Sequence, residues 1–86
     1  MIVSPGQIRA ARALLGWSQD ELADRAGVTR RSVYTVEHES APVAQDTLIK
    51  LLSTLTEAGI TFSRGRGKVG VMAPRATAGG SYSTDD

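Results

Sequence analysis

Residues 19–38 read QDELADRAGVTRRSVYTVEH, and this stretch decides the fold. Its apolar and small residues fall in two sets, Leu22, Ala23 and Ala26, then Val28, Val33 and Val36, with Gly27 between them. Each set lines one face of a short helix. Gly27 stands where a left-handed residue ends a helix, and Thr29, two residues on, carries a hydroxyl that can cap the next one. Two helices of about eight or nine residues joined by so tight a turn must cross steeply, which is a helix-turn-helix.

Toward the N-terminus, Ser4, Pro5 and Gln7 form a helix start: cap, first-turn proline and capping-box partner. That helix runs through IRAARALL to Gly16, with Ile8, Ala11 and Leu15 on one face and Arg9 and Arg12 on its flanks. Ser18 caps the next helix, with Glu21 at its capping-box position. Pairs of apolar residues straddle each cap at hydrophobic-staple spacing: Val3 and Ile8, Trp17 and Leu22, Val28 and Val33. Val43 and Leu48 repeat the spacing and set a fourth start near Ala44 or Gln45, although Asp46 is the better capping side chain. The fourth helix continues through TLIKLLSTLTEA, buries Leu48, Leu51, Leu52 and Leu55, and ends at Gly59.

Beyond Gly59 the period changes. Ile60–Phe62 and Val69–Met72 are short β-prone runs separated by SRGRGK, a six-residue, turn-rich connection. They predict a β-hairpin, which must lie on the helices or pair with a second subunit because two strands alone are marginal in water. The expected fold is mainly α, a compact four-helix domain with a C-terminal hairpin. Its parts are a helix-turn-helix unit over 1–59, a hairpin and dimer-contact candidate over 60–75, and a small, polar, disordered tail over 76–86.

The 86 residues bound one small domain, and without cysteine neither a disulfide framework nor a zinc finger holds it. Met1 leads straight into a polar helix start, which argues against export, and no apolar run approaches the roughly 20 residues of a membrane span. A cytoplasmic protein is expected. The net charge is +1, but residues 1–75 hold all ten basic residues and seven of the nine acids, a balance of +3. From Ser63 to Arg75 four basic residues stand with no acid. A modest positive field suits DNA and is also common in ordinary domains. No cofactor or metal is expected, because His38 is the only histidine and has no cysteine beside it. No nucleophile with an activating base and no phosphate loop points to an enzyme.

The stretch QDELADRAGVTRRSVYTVE resembles the DNA-binding unit of the phage repressor and Cro class of bacterial regulators, the XRE family. The likeness covers about Ile8 to Leu55 and rests on Gln19, Leu22, Ala23, Gly27, Val28, Val33 and Val36 together. Where many members carry glycine two residues after the final glutamate of the recognition helix, this chain has Glu39.

A recognition helix works because the major groove admits it and its exposed side chains meet base edges. Here the outward positions are Thr29, Arg30, Arg31, Ser32, Tyr34 and Thr35. The resemblance implies base reading by Arg30, Arg31 and Thr35; the alternative for the arginines is contact with phosphate or solvent. Gln19 stands at a helix start, where free N–H groups hold anions, and the family anchors a phosphate with glutamine at this place. Ser18, Thr29, Ser32 and Tyr34 are the supporting or backbone-contacting set. The resemblance also implies an ion pair between Arg12 and Glu37 that fixes the recognition helix. Trp17 is read as a core residue rather than a base-stacking platform. The RGRGK run is either a solvated loop or a DNA contact.

The sequence therefore points to a sequence-specific regulator of double-stranded DNA, acting as a homodimer on an inverted repeat. The rival is a protein-interaction module of the same fold, an antitoxin or a partner-binding regulator, whose partner is a toxin or another regulator.

Overall fold

The structure, a computed structural model, describes residues 3–75. Four helices come first: α1 over Pro5–Leu15, α2 over Gln19–Ala26, α3 over Arg30–His38 and α4 over Gln45–Glu57. Two strands follow, β1 over Thr61–Gly65 and β2 over Lys68–Met72. The tail expected over 76–86 lies outside the described residues. Among the described residues, no helix is long and apolar enough to cross a membrane.

Each helix starts where its staple places it. Ser4, Ser18 and Thr29 accept the backbone N–H three residues ahead, and Ser4 with Gln7 completes a reciprocal capping box. At α2 only half of the expected box forms: the Glu21 N–H reaches the Ser18 hydroxyl, while its carboxylate turns to Arg25 at 2.9 Å. Ala44 starts α4 with no side-chain cap, so the staple outweighs the better capping chemistry of Asp46. The helix closes at Glu57, two residues short of the expected Gly59. Gly59 itself takes φ 100° and reverses the chain; a Cβ there would lie 2.7 Å from Pro74 Cγ.

α3 ends without a glycine. Glu39 adopts φ 49° and ψ 37°, and its N–H bonds the Thr35 carbonyl. A left-handed conformation costs a residue with a Cβ about 1 to 2 kcal/mol, so the rest of the structure must hold this reversal in place.

The core forms where the helix-turn-helix meets α1 and α4. Ile8, Leu22, Val33, Leu51 and Leu55 are fully buried, and each such side chain contributes about 2 kcal/mol of transfer free energy. Leu48 and Leu52, expected in the core, are only half-buried against it, and Trp17 packs there too.

The hairpin lies on α1, which contacts β2. Its connection is shorter than the sequence suggests. Gly65 pairs with Lys68, leaving Arg66 and Gly67 alone in the turn, at φ 55° and 73°. Positive φ at both central positions marks a type I′ turn, whose twist matches the strands it joins. SRGRGK therefore supplies four strand residues and a two-residue turn. Ile60 is not in the strand; it sits in the core at 3% exposure. Phe62 and Val71, paired across the hairpin, pack against the core, while Val69 and Met72 stay exposed.

Gln7 fastens the hairpin to the helices. Its Oε1 accepts the Ser4 N–H at 2.9 Å, and its Nε2 donates to the carbonyls of Ser63 and Gly70 at 3.0 and 2.9 Å. These two residues are register partners, so one buried amide holds both strands. Gln7→Met preserves the volume but removes three hydrogen bonds, at a cost of about 2 kcal/mol. Amides of residues 61–72 are expected to exchange faster in this variant while α2 and α3 keep their protection. Uniform loss across the chain would contradict this role.

Candidate nucleic-acid interface

The geometry of α3 is set at its C-terminal end by one carboxylate. Val33, Val36 and Glu37 form its buried face, and the Glu37 side chain has no exposure. A charge so placed must be paired and hydrogen-bonded. Arg12 from α1 approaches it as a fork, Nε to Oε2 at 2.8 Å and Nη2 to Oε1 at 3.0 Å. The same guanidinium donates to the Trp17 carbonyl at 3.1 Å. Gln19 of α2 donates its Nε2 to Oε1 at 3.1 Å. Arg9 of α1 caps the assembly by donating to the Glu37 carbonyl. Three helices thus converge on one glutamate, and the opposite end of α3 points to solvent.

At that open end stand Arg30 and Arg31, both exposed. Arg30 Nε lies 3.6 Å from Asp20 Oδ1 of α2, in a pair that is mostly solvated. Arg31 makes no ion pair among the described residues. Thr29 caps α3, and its hydroxyl lies 3.0 Å from that of Ser32. Tyr34 is exposed and stacks on His38 at 4.0 Å between ring centroids, with His38 Nδ1 2.9 Å from the Tyr34 carbonyl oxygen. Thr35 is half-buried, less outward than the helical pattern suggests, and its carbonyl takes the N–H groups that end the helix.

The first turn of α2 lies on the same side. Ser18 is exposed as its cap, and Gln19, which the sequence offers as a phosphate anchor, has one amide donor committed to Glu37. The unbonded N–H groups of a helix start remain available to an anion. Arg25 of α2 pairs with Glu21 and lies 4.4 Å above the Trp17 ring, which occupies both away from this face. The turn between α2 and α3 relies on Gly27 at φ 72°, with Val28 N–H closing on the Ala23 carbonyl.

Two contributors were not visible in the sequence as site residues. Asp20 draws no reading there, and Arg9 only that of a flank residue; each acts across a tertiary contact that spacing does not encode. No group of His, Asp or Glu side chains among the described residues is arranged to hold a metal ion.

Removing one partner of a buried ion pair strands the other. Arg12→Ala is expected to lower stability by about 3 to 5 kcal/mol in urea unfolding, and joint replacement by Arg12→Met with Glu37→Leu to recover most of that loss. Equal destabilisation by single and double variants would contradict the assigned coupling.

A helix-turn-helix family model matches residues 8–56, which runs from within α1 through most of α4 and includes every residue of this face. No curated protein matches the chain. Two helices joined by a glycine turn, the second of them held by its buried glutamate, lie within the matched span, and the chain belongs to the Cro/C1-type, or XRE, family of helix-turn-helix DNA-binding regulators.

Proposed function

We propose that this protein is a cytoplasmic, sequence-specific transcriptional regulator that lays the N-terminal half of α3 in the major groove of double-stranded DNA. The observation that carries the reading is the polarity of α3, whose Val33, Val36 and Glu37 are buried while Arg30 and Arg31 are exposed at the free end. Arg30, Arg31 and Thr35 read base edges. An arginine fork matches guanine O6 and N7, and a threonine offers either a hydrogen bond or a methyl group to thymine. Gln19, Ser18, Thr29, Ser32 and Tyr34 position the helix on the backbone, where peptide N–H groups and hydroxyls meet phosphate oxygens. The Arg12 and Glu37 pair keeps the helix at its angle.

One module of this size covers roughly 600 to 1,000 Å² of DNA, little for a site that must compete with a genome. The protein therefore acts as a homodimer on an inverted repeat, with residues 1–59 binding DNA and residues 60–75 joining the two copies. Open strand edges and the exposed Val69 and Met72, at 57% and 60%, support the hairpin as that contact. Two recognition helices would then stand about 34 Å apart, one turn of B-DNA.

Selection of bound duplexes from a random library tests the base-reading claim. The expected winner is palindromic, and Arg30→Ala or Arg31→Ala relaxes preference at defined base pairs at a cost of about 1 to 3 kcal/mol. Equal loss on all sequences would assign the arginines to phosphate, and absence of any preferred duplex would return the protein to an interaction-module reading. For the dimer, Val69→Lys combined with Met72→Lys is expected to sediment as a monomer with an unchanged helical melt. An unaltered sedimentation profile would remove the hairpin from the interface.

A further inference from the structure

We infer that Asp20 is a specificity-determining positioning residue, which steers the Arg30 guanidinium toward guanine from the first turn of α2. This rests on the DNA-reading role proposed for α3 and adds a residue to it. Three acids lie on α2, and all border one shallow depression with Arg30: Glu21 is bound to Arg25, Asp24 forms no ion pair among the described residues, and Asp20 is the one within ion-pair distance of a reading arginine. Gln19, its neighbour, donates to Glu37, and Asp20 is the α2 acid within ion-pair distance of the start of α3.

The geometry favours steering over locking. Asp20 Oδ1 approaches Arg30 through Nε at 3.6 Å, beyond hydrogen-bond length, with the two side chains 74% and 67% exposed. A guanidinium carries five donors in a planar fork. The ion pair is made at Nε, and neither Nη group donates a hydrogen bond among the described residues; two parallel donors are what guanine O6 and N7 require. A carboxylate beside the DNA also repels phosphate on every sequence. Asp20 therefore weakens binding to any duplex while improving the choice among duplexes; an acid acting only by repelling phosphate would produce the first effect alone.

The test compares full-length wild-type protein, Asp20→Ala, Asp20→Glu, Arg30→Ala and the Asp20→Ala, Arg30→Ala double variant. Anisotropy is read on the library-selected duplex, its single-base substitutions and a scrambled duplex at fixed salt. Asp20→Ala is expected to gain affinity for the scrambled duplex and to lose about twofold to fivefold in guanine preference. The loss falls at the one base position that Arg30→Ala also relaxes, Asp20→Glu restores part of it, and Asp20→Ala changes no preference once Arg30 is absent. An equal gain on every duplex, or the same shift in preference without Arg30, would overturn the inference. If wild-type protein has no preferred duplex, the parent reading fails and this one fails with it; a preferred duplex with uniform Asp20 effects fails this one alone.

Discussion

Glu37 is the point on which the arrangement of helices depends. A carboxylate taken out of water loses several kcal/mol of hydration, and its place in the core is tenable only because partners arrive from two other helices. Arg12 supplies a two-pronged contact from α1 and Gln19 a third donor from α2. These directional contacts fix α3 relative to α1 and α2 more tightly than the apolar packing of Val33 and Val36, which tolerates sliding. The net stabilisation from such a cluster is small, because desolvation offsets most of the attraction. Its value lies in orientation: a reading helix displaced by a fraction of a turn presents different side chains.

The two ends of α3 divide the work. At the C-terminal end the chain is tied down by Glu37, by Arg9 on its carbonyl, and by Glu39 held at positive φ. At the N-terminal end the side chains are polar, exposed and loosely paired, as a surface that must exchange water for DNA requires. The free amides and positive dipole end of α2 lie beside it. The hairpin is attached to α1 through Gln7, and the chain entering it is anchored in the core by Ile60.

Much of this was legible in the sequence, for identifiable reasons. Staple spacing located all four helix starts, including the uncapped one at Ala44, because a pair of apolar residues packed on the core is a stronger constraint than one capping side chain. Gly27 and the valine spacing disclosed the crossed helices. What periodicity could not give was long-range polar contact. Gln7 reads locally as a capping-box residue, yet its amide reaches residues 56 and 63 positions away. The Arg12 and Glu37 contact was legible only through family resemblance. The hairpin turn was misjudged because arginine at positive φ is uncommon, so RGRG reads as loop; strand pairing and the Gln7 amide hold Arg66 there. Periodicity also could not separate base contact from phosphate contact for Arg30 and Arg31, since both stand on the same exposed face.

The most direct test of the central claim, that the free end of α3 and the start of α2 form the DNA-reading face, is an amide chemical-shift map. The protein would be titrated with its preferred duplex. The account predicts the largest shifts over residues 18–20 and 29–35, with small shifts across 61–72. Shifts concentrated in the hairpin, with α3 unmoved, would contradict it.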